Sequence, residues 1–122
     1  MSHILVIDDD EHIRELINIM LEGEGHSVVL AEDGMVGLKK LEEETFDLII
    51  TDIIMPNQEG IETIVQIKAK NPKAKILAIS GGGRIGSTNY LTLAENFGVD
   101  RTMSKPFYHK DFVDCIGELL EQ

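Results

Sequence analysis

Three acidic residues, Asp8, Asp9 and Asp52, stand at the ends of two short apolar runs: Ile4-Leu5-Val6-Ile7 before the pair and Leu48-Ile49-Ile50-Thr51 before the third. If these runs are neighbouring parallel strands, the carboxylates converge at the carboxyl edge of one sheet, where open α/β folds bind their ligands. Like charges held that close disfavour one another, so the arrangement calls for a cation or a functional role. Two later positions fit the same edge. Ser80 closes the run Ile76-Leu77-Ala78-Ile79, and Lys105-Pro106 follows the weaker run Val99 to Met103. Carboxylates, a hydroxyl and an ammonium in one place suit a hard metal ion and a phosphoryl group.

The elements that must position these groups alternate along the chain. Short β-branched runs occur at Ile4 to Ile7, Ser27 to Leu30, Leu48 to Thr51, Ile76 to Ile79 and Val99 to Met103. Amphipathic stretches separate them. From Glu11 to Glu22 the apolar residues Ile13, Leu16, Ile17, Met20 and Leu21 line one helical face, and Phe112, Ile116, Leu119 and Leu120 repeat the spacing near the C-terminus. Shorter stretches of the same kind surround Leu38 and Leu41, Ile61, Ile64 and Val65, and Leu91, Ala94 and Phe97. Turn signals at Gly23 and Gly25, Asp33-Gly34, Pro56-Asn57 and Asn71-Pro72 divide them, with Gly98 as a helix stop. Five βα units in series imply an α/β fold, a parallel sheet with helices on both faces.

Composition narrows the function classes. At 122 residues with 43% hydrophobic and 27% charged content, the chain reads as one soluble domain spanning 1–122. A net charge of -11 and a pI near 4.6 argue against direct nucleic acid binding and against an anionic membrane, since both require positive surface. Basic protein patches and metal ions are the expected partners. The lone cysteine, Cys115, falls in a helical apolar pattern and reads as small buried filler in a reducing compartment. Without a signal peptide or a membrane-length apolar segment, the expected location is cytoplasmic.

Ile4 to Asp9, Asp52-Ile53-Ile54-Met55-Pro56 with Gly60 after it, Ser80 after an apolar strand, and Lys105-Pro106-Phe107 together resemble the receiver domain of two-component response regulators. The resemblance spans essentially the full chain. It implies a doubly wound, flavodoxin-like, five-stranded parallel sheet in the order 2-1-3-4-5, with its crevice between strands 1 and 3. Asp52 matches the family's phosphoacceptor, with Lys105 and Ser80 as its companions. Asp8, Asp9, Asp52 and the backbone carbonyl of Ile54 would hold Mg2+. The implied partners are a histidine kinase or phosphotransfer protein as donor, and an effector protein or an output domain outside these residues as recipient. Such a chain catalyses only its own phosphorylation and dephosphorylation, and is a switch rather than an enzyme acting on other substrates.

Plainer readings stand beside these. One of Asp8, Asp9 and Asp10 is expected to cap the following helix, most naturally Asp10 or Asp9. Lys105 could be a solvated surface lysine, although a cis bond to Pro106 would turn it into the cleft. Ser80 could be a plain strand end, and Gly81-Gly82-Gly83 a loop with hinge character. His3, His12, His26 and His109 lack metal-ligand spacing and are expected at the surface. A flavin-binding flavodoxin is disfavoured by acids where its phosphate loop would lie, and a metal-dependent phosphatase by the lack of an Asp-x-Asp pattern on the first strand. A degenerate receiver that binds partners without being phosphorylated is the remaining alternative. Two departures from the family pattern bear on signalling. Thr102 stands where an aromatic ring is usual, and Ile54 and Gly82 flank the path of the hydrolytic water without offering it an acid or amide.

Overall fold

In the computed structural model, residues 2–53, 59–81 and 96–121 are described. They form strands β1 (His3–Ile7), β2 (Ser27–Ala31), β3 (Leu48–Asp52), β4 (Ile76–Gly81) and β5 (Arg101–Lys105) and helices α1 (Glu11–Gly23), α2 (Gly34–Glu43), α3 (Glu59–Lys70) and α4 (His109–Glu121). The strands make one parallel sheet in the order β2-β1-β3-β4-β5. This is the expected doubly wound order. The helix expected around Leu91, Ala94 and Phe97 falls mostly outside the described residues, as do Ile54, Pro56-Asn57 and Gly82-Gly83.

Strand periodicity divides the core into two layers, because successive side chains point to opposite faces. Ile4 and Val6 of β1 join Leu48, Ile50, Leu77 and Ile79 beneath α1 and α4, which contribute Ile17, Leu21, Phe112 and Ile116. Leu5 and Ile7 join Ile49, Ile76 and Ala78 beneath α3, with Ile64 and Ile67, while Val36, Leu38 and Leu41 of α2 pack against them. Each fully buried Leu or Ile stabilises the fold by roughly 1.5–3 kcal/mol, so the three central strands are the rigid base of the carboxyl edge. Cys115 lies in the first layer, where burial pushes its thiol pKa up, as expected of filler.

Local chemistry sets the helix starts. Asp10 caps α1 by accepting from the backbone N–H groups of His12 and Ile13, and Asp33 caps α2 by accepting from Val36. Gly34 therefore opens a helix rather than a turn. A side chain there would collide with Thr63 of α3, so glycine permits the close approach of α2 and α3. Gly98 has φ 91°, a conformation that favours glycine, and stops the helical segment before β5.

Two expectations need correction. Strand β5 runs from Arg101 to Lys105 instead of Val99 to Met103. Asp100 fixes the entry, its N–H donating to the Ile76 carbonyl at 2.9 Å and its carboxylate accepting from Ile76 N–H at 2.8 Å. The polar end Ser104-Lys105 is strand because it pairs with Ser80-Gly81. His3 is half-buried rather than a free surface residue. Its ring stacks on Phe46 with centroids 4.7 Å apart, and its nitrogens meet Ser27 Oγ at 3.0 Å and Glu44 Oε1 at 2.7 Å. Among the described residues no helix is long and apolar enough to cross a membrane.

Candidate functional site at the carboxyl edge of the sheet

Pairing of β1 with β3 in register brings Asp8 and Asp52 to the same edge. Both are buried, Asp8 with 2% and Asp52 with 5% of its surface exposed. Asp8 directly follows β1, and its N–H continues the ladder by donating to the Ala31 carbonyl at 3.1 Å. One carboxylate oxygen, Oδ1, accepts from Asp10 N–H at 2.9 Å. The other, Oδ2, accepts from Lys105 Nζ at 2.9 Å. Asp52 is the last residue of β3, and its Oδ2 accepts from the same ammonium at 2.8 Å. The chain then leaves along the edge, with Ile53 N–H donating to the Ile79 carbonyl at 2.8 Å. Gly60, in the first turn of α3, has no side chain to strike the Ile53 backbone, so α3 packs directly over that exit.

Lys105 thus bridges two carboxylates far apart in sequence. It ends β5 opposite Gly81, its side chain is 16% exposed, and the Lys105–Pro106 peptide is cis. Burial works against its charge, but the hydrogen bonds and charges of Asp52 and Asp8 outweigh that loss and hold the ammonium pKa above its ordinary value. A solvated surface lysine is excluded.

Asp9 completes the acid cluster. It is exposed, and Asp8, Asp9 and Asp52 each present an oxygen within 4.8 Å of the others. One ammonium does not neutralise three carboxylates. The donor set of hard oxygens, with one carboxylate facing solvent, fits an ion such as Mg2+ that takes few protein ligands and keeps several waters. The Ile54 carbonyl, expected as a further ligand, lies outside the described residues.

Ser80 lies on β4 one position beyond Ile79, the register partner of Asp52. It is fully buried, and its hydroxyl has no hydrogen-bond partner among the described residues. Native proteins satisfy most buried polar groups, and an orphan costs about 1–3 kcal/mol, so this hydroxyl is an exception to ordinary strand packing. Thr102 is half-buried in β5, paired with Ala78, and contributes no ring to this side of the sheet.

Sequence reasoning missed one residue of the site. Arg14 donates from Nη1 to the Asp8 backbone carbonyl at 2.7 Å. Its position in the first turn of α1, six residues after Asp8, was the available signal. Away from the edge, a groove of about 530 Å³ lies between α1 and α4 and holds none of these groups.

Comparison with known proteins agrees with this geometry. Among curated relatives, the transcriptional regulatory protein GlrR of Escherichia coli is 31% identical over 99% of this chain and 27% of its own length. The CpxR homolog of Haemophilus influenzae is 32% identical over all of this chain and 52% of its own. The chain therefore spans only about a quarter to a half of these regulators. The receiver protein CpdR of Brucella abortus, 32% identical, is matched over 98% of both chains. Among solved structures, the response regulator TrrA of Thermotoga maritima, in complex with Mg2+ and BeF, superposes with a TM-score of 0.85 at 32% identity, covering 98% of this chain and 99% of that one. A CheY-like receiver domain of Methanospirillum hungatei gives 0.88 at 30%, covering 99% and 94%. Residues 4–117 match the response regulator receiver domain, and with the sheet order in agreement, this chain belongs to that family.

Proposed function

We propose that the chain is a phosphoacceptor switch whose Asp52 takes a phosphoryl group from a histidine kinase or phosphotransfer protein. The observation that carries the reading is the Lys105 ammonium lying between Asp8 and Asp52, 2.9 and 2.8 Å from their carboxylates, beside the exposed Asp9. An oxygen of the Asp52 carboxylate attacks the phosphorus of a phosphohistidine. The new O–P bond forms as the P–N bond breaks, and the electron pair returns to the imidazole nitrogen, which takes up a proton. Lys105 follows the charge, paired with carboxylates at rest and able to meet a phosphoryl oxygen after transfer. Hydrolysis of the acyl phosphate restores the Asp52 carboxylate and ends the signal.

Mg2+ would be held by Asp8, Asp9, Asp52 and the Ile54 carbonyl, and would supply positive charge to phosphoryl oxygens entering an acidic pocket. The structure of TrrA in complex with Mg2+ and BeF supports Mg2+ as the ion. The buried, unpartnered Ser80 hydroxyl is the group set to move toward a phosphoryl oxygen, which would satisfy it. The changed surface signals to a protein partner or to an output domain outside these residues, in the cytoplasm, and no outside substrate is turned over.

The test is phosphorylation by acetyl phosphate followed by intact mass. One phosphoryl group is expected on the unmodified sequence with Mg2+, none after chelation and none in Asp52→Asn. Equal labelling of the Asn variant, or labelling that ignores chelator, would sink the assignment.

A further inference from the structure

We infer that Arg14 is a positioning residue for the metal site, acting through the peptide that joins Asp8 to Asp9; this rests on the Mg2+ reading above. Asp8 is held at four points. Its N–H donates to Ala31, its Oδ1 accepts from Asp10 and its Oδ2 from Lys105, and its carbonyl accepts from Arg14 at 2.7 Å. The first three fix the residue and its side chain. The Arg14 bond fixes what comes next. Because a peptide group is planar, anchoring the Asp8 carbonyl oxygen sets the plane of the 8–9 peptide and so the direction in which Asp9 leaves it.

Asp9 needs such an anchor more than its neighbours. Its side chain is exposed and no described residue bonds its carboxylate, yet that carboxylate supplies one of the three clustered oxygens. With the Asp10 carboxylate turned away to cap α1, the backbone alone orients Asp9 among the described residues: Asp10 N–H on Asp8 Oδ1 holds the peptide after it, and the Arg14 bond holds the peptide before it. Arg14 is well placed for this task. Its own N–H closes the first turn of α1 on the Asp10 carbonyl at 3.0 Å, so the guanidinium reaches back from a fixed helical position across the turn that carries Asp8, Asp9 and Asp10. It makes no ion pair with a carboxylate among the described residues, so its role is geometric rather than neutralising.

Geometry and charge make opposite demands here, which gives the inference a sign. A guanidinium beside a cation site repels the cation, so on electrostatic grounds alone its removal would tighten Mg2+ binding. If Arg14 orients Asp9, its removal weakens binding, by about tenfold or more on the scale of outer-shell partners of metal ligands. The experiment is Mg2+ titration of the full chain, followed by calorimetry and by amide NMR shifts, for the unmodified sequence, Arg14→Met and Arg14→Lys. Arg14→Met is expected to raise the Mg2+ Kd about tenfold with its folded spectrum intact, and Arg14→Lys, which keeps one donor, to recover part of the loss. Acetyl phosphate labelling of Arg14→Met should return toward normal at saturating Mg2+, unlike that of Asp52→Asn. Unchanged or tighter Mg2+ binding in Arg14→Met would overturn the inference alone. Failure of the unmodified chain to bind Mg2+ would overturn the functional reading, and the inference with it. Should Arg14→Met not fold, Arg14→Lys and Arg14→Gln carry the same comparison of affinities, and equal Kd values in those variants would overturn the inference.

Discussion

The two sides of the carboxyl edge are built on different principles. On the β1 and β3 side the buried acids are engaged and only the exposed Asp9 carboxylate is not bonded by a described residue: Asp8 is held at four atoms, Asp52 and Asp8 share one ammonium, and Gly60 and Arg14 draw in the backbone. On the β4 and β5 side the buried Ser80 hydroxyl has no partner and Thr102 offers little area. The first side is assembled by charge and already formed, while the second holds a hydroxyl left unsatisfied among the described residues. The difference teaches where the resting state keeps its free energy: in attraction on one side and in an unmet hydrogen bond on the other.

Breaking the engaged side should have the largest effect on stability. Lys105→Met leaves Asp8 and Asp52 buried without their shared cation, and breaking a buried pair costs about 3 kcal/mol or more. Urea unfolding in chelator should show this loss, and Mg2+ should recover part of it by binding the native cluster. A variant as stable as the parent in chelator would mean that the corner is not held by charge.

The unsatisfied side should respond with the opposite sign. Ser80→Ala removes a buried hydroxyl that gains nothing at rest, so stability should hold or rise by up to about 1 kcal/mol. The same change should abolish the response to a phosphoryl mimic. A destabilisation beyond about 1 kcal/mol would show that the hydroxyl is already bonded.

The smallest expected effect is that of Thr102→Ala, within about 0.5 kcal/mol, since a half-buried threonine contributes little packing. Because Thr102 cannot fill the space of a ring, coupling is expected to run through Ser80 and the chain that follows β4. Hydrogen exchange with beryllofluoride and Mg2+ should show changes from that chain to Phe97 that vanish in Ser80→Ala and persist in Thr102→Ala. Changes confined to the acid corner would instead support a receiver that switches weakly or binds partners without phosphorylation.

The engaged side was also the more legible one in the sequence. Apolar runs ending in Asp8 and Asp52 declare both strand and site, because the residues before the acids are buried on both faces and carry no competing pattern. Lys105 needed the following Pro106-Phe107 to be noticed, since β5 hides its length: Ser104 and Lys105 are strand only because β4 pairs with them. Gly34 read as a turn because its reason, contact with Thr63, lies on another helix. Arg14 and the partners of His3 were missed for the same cause. Each acts on a backbone or a side chain distant in sequence, and periodicity reports burial, not partners.

Which carboxylate carries the phosphoryl group decides most directly whether the chain is an Asp52 phosphoacceptor switch. Borohydride reduction of the phosphorylated protein converts an aspartyl phosphate to homoserine, and peptide sequencing by mass spectrometry locates it. Homoserine at position 52, and only after treatment with acetyl phosphate and Mg2+, is the expected result; homoserine at position 8 or 9, or none despite a phosphoryl mass shift, would contradict it.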